Sequence, residues 1–260
     1  MELHSIHYAS DGLRVHAFVL RPVGPKRPVI VYARGGNNHP SNKHEMNLVP
    51  EDMLSSHWRL FPLAKRGFTV IATNFRGSRE SEGVDEAGGT DVNDLLNLGP
   101  TIEEYGDASD VSLFGWSMGG QKLLQLLLRA DRASWVHAAR ACVVGAPSTN
   151  LMTFKRFRPD LWRHWKDDFG LSNAALLERS VVRHVDKLAP VLRRVPLLLL
   201  HGEKDAAVAV SDTLDFAQAL TKAGVTNFGL VVYPDDDHGM SRHADDVTHQ
   251  VARWVRVRRQ

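Results

Sequence analysis

Hydrophobic and polar residues alternate along two short segments, Leu3 to Tyr8 and Leu13 to Leu20, with Asp11-Gly12 between them. A period of two puts one face of each segment on a core. Asp-Gly suits a tight turn, so the pattern predicts an antiparallel hairpin. Beyond it the pattern changes. Pro28 to Ala33, Phe68 to Thr73, Val111 to Phe114, Ala141 to Val144, Val195 to Leu200 and Phe228 to Tyr233 are short runs, apolar on both parities. Such runs suit strands buried on both faces of a parallel sheet. Helical stretches lie between them: Asp52 to Arg66 (ending at Gly67 and interrupted by Pro62), Asp91 to Tyr105, Gly119 to Ala130, Asp212 to Ala223 with Ser211 as its cap, and Ala244 to Val255. This alternation predicts an α/β fold with a mostly parallel central sheet led by an antiparallel hairpin. Between Pro147 and Pro190 no strand is visible. That stretch holds Phe154, Phe157, Trp162, Trp165 and Phe169, then the helical Ser172 to His184. A structureless loop this long would be unusual, so a helical cap is expected at about 148–189 within a single domain of residues 1–260.

Composition narrows the class without pointing to a partner. Apolar residues make up 43% of the 260, and 32 Lys+Arg face 30 Asp+Glu for a formal charge of +2. These are globular proportions with both signs interspersed, so no nucleic-acid partner is expected. The basic stretch Arg253 to Arg259 reads as a solvated helix end. No run is long enough to span a membrane and the first residues carry no basic, apolar leader, so a cytoplasmic protein without a membrane partner is expected. The single cysteine, Cys142, excludes an internal disulfide and cysteine-rich zinc sites, and its apolar surroundings suggest an inert buried thiol. Oligomeric state is left open.

The chemistry centres on Gly115-Trp116-Ser117-Met118-Gly119-Gly120, a G-x-S-x-G pattern after a strand and before a helix. A nucleophile on a sharp strand-to-helix turn needs this pattern, because small flanking residues let the backbone bend and leave Oγ exposed. Such a serine needs a base, and the base needs an orienting carboxylate. Val195 to Leu200 leads into His201-Gly202-Glu203-Lys204-Asp205, and Phe228 to Tyr233 leads into Asp235-Asp236-Asp237-His238. Asp205 and His238 thus fall at the carboxyl ends of strands, with Glu203 a rival for the acid. An oxyanion hole is expected from the N–H of Met118 together with that of Gly36 or Asn37, in the glycine turn after the first buried strand. Trp116, Phe157 and Trp162 are candidate substrate contacts. Asp235 to Asp237 reads as a solvated acidic loop, and Asp91 and Asp94 as dipole-favouring groups at a helix start. His4, His7 and His16 lack metal-ligand spacing. No metal and no organic cofactor is expected.

These passages resemble the α/β-hydrolase superfamily and, within it, the catalytic domain of the prolyl oligopeptidase family. Arg34-Gly35-Gly36 stands where the family usually has His-Gly-Gly, and Asn74-Phe75-Arg76-Gly77-Ser78 looks like its Asn-Tyr-Arg-Gly-Ser stretch. Gly115 to Gly120 matches its elbow, and His201 to Val208 its His-Gly-x-x-Asp-x-x-Val. The resemblance covers roughly residues 28 to 255. It implies an α/β-hydrolase fold and a serine hydrolase acting through an acyl-enzyme, with Ser117, Asp205 and His238 as its triad. No propeller is visible ahead of the hydrolase region. The expectation is therefore a carboxylesterase-like enzyme acting on a small ester or amide, with a peptidase on short peptides as the alternative. A non-catalytic ligand-binding protein on the same fold is the reading from another class.

Overall fold

A computed structural model describes residues 1–37, 47–55, 59–78 and 80–257. The side chains of His164, Trp165, Asp168 and Val257 lie outside that description, as does the end of the basic stretch. Among the described residues eight strands form one sheet: β1 (Glu2–Ser10), β2 (Leu13–Arg21), β3 (Pro28–Ala33), β4 (Thr69–Thr73), β5 (Asp107–Trp116), β6 (Cys142–Gly145), β7 (Leu197–Gly202) and β8 (Phe228–Tyr233). Their order is β1-β2-β4-β3-β5-β6-β7-β8. β1 and β2 form the expected hairpin, and β2 also pairs antiparallel with β4. All other pairings are parallel.

The double parity of the apolar runs has a direct cause. Val29, Val31, Leu113, Val144, Leu197 and Leu199 face one layer, built on α5 (Met118–Leu127), α10 (Val185–Leu192) and α11 (Val210–Lys222). Their neighbours Ile30, Tyr32, Phe114, Val143, Leu198 and Leu200 face the other, built on α1 (Pro50–Leu54), α2 (Leu60–Lys65) and α12 (Ala244–Val257). A sheet covered on both sides buries every position of its central strands. The chain moves from β3 to β4 on one side and then crosses to β5 on the other. Between the carboxyl ends of β3 and β5 lies the crevice where open α/β sheets bind ligands.

Several helices differ from expectation. The stretch Asp52 to Arg66 takes in the end of α1 and all of α2, separated by residues 55–59, of which 56–58 lie outside the description. Pro62 falls in the first turn of α2, where its missing N–H is no loss. Asp91 to Tyr105 becomes a 3₁₀ turn (Thr90–Val92) followed by α3 (Asn93–Leu96) and α4 (Gly99–Tyr105). The short α6 (Ser134–His137) precedes β6. Ser211 lies inside α11, whose N-cap is Ala209 without a side-chain cap bond. The stretch between β6 and β7 is helical: α7 (Leu151–Phe157), α8 (Pro159–Phe169), α9 (Asn173–Arg179), a 3₁₀ turn (Val181–His184) and then α10. Asn150 and Ser172 cap α7 and α9 with their side chains.

Asp212, in the first turn of α11, sits where this helical stretch begins. Thr149 Oγ1 donates to the Asp212 carbonyl at 2.8 Å. The Asp212 carboxyl is buried, facing the Asn150 N–H and the Thr153 side chain. Burial pushes it up to about 7; Asn150 and Thr153 pull the other way, while Asp215 adds to the rise. An acid raised on folding stabilises below its unfolded value near 3.9 and loses that contribution as pH rises towards 7. Asp212→Asn is therefore expected to leave the melting temperature nearly unchanged at pH 4. At pH 8 it should stabilise by up to about 4 kcal/mol, read from the difference between the two pH values in thermal melts.

Candidate active site

Ser117 ends β5 and begins α5 with φ 55° and ψ −122°, a strained conformation for a residue with a side chain. Ser117 N–H donates to the Gly145 carbonyl at 2.7 Å, which fixes the turn against β6. A Cβ added to Gly119 would lie 2.0 Å from the Ala33 carbonyl oxygen, so α5 can approach β3 only because residue 119 is glycine. A Cβ at Gly35 would come within 3.2 Å of Ser117 Cβ, which places the glycine turn after β3 beside the serine. Ser117 stays partly exposed while its flanking residues are buried.

His238 follows β8 and Asp205 follows β7. His238 Nδ1 and Asp205 Oδ2 are 2.7 Å apart, with the carboxylate fully buried and the imidazole 30% exposed. Asp205 Oδ1 accepts the N–H groups of Ala207 at 2.7 Å and Val208 at 2.9 Å, while Oδ2 also lies 3.0 Å from His201 Nε2. Burial alone would raise this carboxyl. The histidines and the Val208 N–H more than offset it and hold the group far below the usual carboxylate range. Glu203 is exposed and its Oε2 accepts from Asp235 N, so the structure joins Asp205, not Glu203, to His238. The serine side is tied to the histidine side through Trp116, whose Nε1 donates to the His238 carbonyl at 3.0 Å.

The expected oxyanion donors lie around this crevice. Met118 is the first residue of α5, where backbone N–H groups have no intrahelical partner. Gly36 has φ 71°, and neither its N–H nor that of Asn37 has a backbone partner among the described residues. The Asn37 side chain is buried, with both amide atoms free of a partner among the described residues. Trp116, an expected substrate contact, is 5% exposed, lies over Gly145 and donates its Nε1–H to the His238 carbonyl. Trp162 is buried with Met118, Leu151, Leu171 and Leu176, while Phe157 is 42% exposed. Arg158, just before α8, donates to the Ala206 carbonyl at 3.4 Å. The helical stretch therefore touches the residue after Ser117 and the residue after Asp205.

Two acidic readings are corrected. Asp236 is buried and accepts from the N–H groups of Asp237, Arg242 and His243 and from the His243 ring, so it organises its loop; Asp235 and Asp237 are the solvated groups, paired with Lys204 and Ser241. Asp91 and Asp94 are buried partners of cations, with Lys122 Nζ 2.6 Å from Asp91 and Arg76 Nη2 2.7 Å from Asp94. Cys142 is buried, and burial raises its thiol.

Residues 54–257 match the family model described as the prolyl oligopeptidase family. The chain belongs to this family. It has the α/β-hydrolase fold. The human acylamino-acid-releasing enzyme is 29% identical over 98% of this chain and 35% of its own length. An acylaminoacyl peptidase of Pyrococcus horikoshii superposes with a TM-score of 0.73 at 21% identity, over 97% of this chain and 41% of its own. An esterase of Pyrococcus furiosus does so with 0.69 at 17% identity, over 98% and 91%. The chain thus spans about a third of the length of the acylamino-acid-releasing relative.

Two groups of this prolyl oligopeptidase-family site carried no functional assignment from sequence. His201 Nε2 faces two acceptors, Asp205 Oδ2 and the Val208 carbonyl, so its proton sits on Nε2 and the Thr213 hydroxyl donates to Nδ1 at 2.7 Å. The signal was the His-Gly-x-x-Asp-x-x-Val pattern, which sets this histidine four residues before the acid. Lys122 lies one turn into the elbow helix, fully buried, with Asp91 on one side and the Phe75 ring 4.0 Å away on another. A lysine inside a leucine-rich helix was the available hint. Among the described residues no helix is long and apolar enough to cross a membrane, and no cluster of three His, Cys, Asp or Glu residues is placed to hold a metal ion.

Proposed function

We propose that Ser117, His238 and Asp205 form an acyl-transfer triad that cleaves an acylated amino acid amide or short peptide. Ser117 Oγ attacks the carbonyl carbon as His238 Nε2 takes its proton. The tetrahedral oxyanion sits at the N–H groups of Met118 and of Gly36 or Asn37. Collapse expels the amine, which leaves with the proton from His238, and water then releases the acid by the same path. The observation that carries this reading is the braced Asp205–His238 bond, tied by the Trp116 Nε1–His238 carbonyl bond to the residue before a serine held at positive φ. The relatives named for acylamino-acid release support an amide substrate. So does the Asn37 carboxamide, whose open donor and acceptor complement a substrate amide. This moves the preference from ester to amide, while activated esters should still acylate Ser117.

The test is a panel of N-acetylaminoacyl anilides, free aminoacyl anilides and p-nitrophenyl esters, run with the parent and Ser117→Ala. Serine-dependent turnover of the N-acetylated anilides above the free ones supports the proposal. Turnover confined to esters assigns the same machinery to a carboxylesterase. We further propose that residues 148–189 act as a cap over the acyl pocket, with Phe157 as its exposed ring. Phe157→Ala is expected to shift the relative kcat/KM for short and long acyl groups about tenfold with little change in melting temperature. Trp162→Ala should instead lower stability by about 3 kcal/mol, as a buried ring does. An unchanged chain-length profile in Phe157→Ala would remove the cap from substrate selection.

A further inference from the structure

Arg59 lies just before α2 with φ 64° and ψ 3°. A left-handed backbone at a non-glycine residue is unfavourable and persists where its surroundings fix it. The side chain shows what fixes it. It is buried, its guanidinium carbon stands 4.5 Å from the centre of the Trp116 ring, and Nη2 donates to the Gly239 carbonyl at 2.6 Å. Trp116 precedes the proposed nucleophile, and Gly239 follows the proposed base. Trp116 Nε1 in turn holds the carbonyl of His238 itself. Two consecutive carbonyls of the histidine loop are thus gripped by two donors that stack on each other. Asp236 gathers N–H groups on the loop's own side, those of Asp237, Arg242 and His243. Burial works against the charge of Arg59, and the fields of Tyr32, Tyr233, Asp236 and Asp237 offset part of that.

We propose that Arg59 is a positioning residue that sets the distance between His238 and Ser117 through Gly239 and Trp116. The inference rests on the proposed function, since it matters only if those two side chains exchange a proton. A misplacement of about 1 Å between reacting groups costs on the order of 10²-fold in rate. Lysine cannot replace the planar cation, because it can reach one carbonyl but cannot stack and donate in the same geometry.

The test uses Arg59→Met, Arg59→Lys, Trp116→Phe and the double variant Arg59→Met with Trp116→Phe. Val136→Ala, in the distant core, serves as a stability control. The readouts are the second-order rate of fluorophosphonate labelling, kcat and KM on one ester, and the melting temperature. Arg59→Met is expected to lose roughly 30- to 100-fold in both kcat and labelling rate, with KM within about twofold. Arg59→Lys should recover part of the loss, and the double variant should fall short of the product of the single losses. If Arg59→Met labels and turns over within about threefold of the parent, or loses no more than Val136→Ala at an equal fall in melting temperature, Arg59 is only structural. Should Arg59→Met fail to fold, Arg59→Lys decides, with a loss of about fivefold or more supporting the proposal and an unchanged rate overturning it. A parent protein that does not label at Ser117 at all would instead refute the proposed function on which the inference rests.

Discussion

Replacing Ser117 or His238 by alanine is expected to lower kcat by roughly 10⁴- to 10⁶-fold, and replacing both should lower it little further. The reason is that in the proposed mechanism the two side chains perform one step. Without His238 the Ser117 hydroxyl keeps its proton and remains a poor nucleophile. Without Ser117 the imidazole has nothing to activate. What survives is binding and the donors around Gly36, Asn37 and Met118, which these substitutions leave in place. The structural cost should be small, since Ser117 is partly exposed and the His238 ring is 30% exposed. A Ser117→Ala protein should therefore melt near the parent temperature, and relief of the φ 55° strain is not expected from alanine, which meets the same backbone clash. Single-turnover assays on an activated ester, with fluorophosphonate labelling beside them, measure the effect. Losses in the two single variants that multiply in the double would show that they act separately, and the triad would be the wrong description.

The strands and the elbow were legible because their causes are local. The bounds of β3 and β7 follow from runs of apolar residues that both layers demand, and the turn at Ser117 is written in Gly115 and Gly119, where a side chain would clash. The Asp205 loop was legible for a similar reason: the acid, Ala207 and Val208 are neighbours in sequence and bond one another. Legibility ended where partners are distant. Nothing in three consecutive aspartates distinguishes Asp236, whose burial depends on the turn at residues 241–243 folding back over it. Asp91 looks like any acid at a helix start until α5 brings Lys122 to it. Arg59 was lost inside an apparent helix, because the left-handed residue before α2 is held by contacts with Trp116 and Gly239, 57 and 180 positions away. The burial of Trp116 and Trp162 was not legible for the same reason, since their packing against Gly145 and Met118 is tertiary.

Asp205→Asn is expected to lower kcat about 10⁴-fold at neutral pH, whereas Glu203→Gln should stay within about twofold of the parent. Four N–H groups converge on the two Asp205 oxygens: Ala207 and Val208 on Oδ1, His201 and His238 on Oδ2. An asparagine must turn its NH₂ towards one pair. The backbone pair cannot give up its protons, so the NH₂ faces the imidazoles. His238 must then accept at Nδ1 and carry its proton on Nε2, the nitrogen that has to receive the proton of Ser117. The base is in place but in the wrong tautomer. The same geometry fixes the pH behaviour. Because the folded carboxyl lies far below its unfolded value, its stabilisation is present above pH ~3.9 and is lost as pH falls through the folded value. The variant should therefore be less stable than the parent at pH 7 and lose less stability between pH 5 and pH 2. Activity loss on mild acidification cannot come from Asp205, which stays ionised there. Melting curves across that range, beside kcat at pH 7.5, test both halves. Near-full turnover in Asp205→Asn with a large loss in Glu203→Gln would transfer the acid's role to Glu203 and require the loop at residues 203–205 to rearrange around His238.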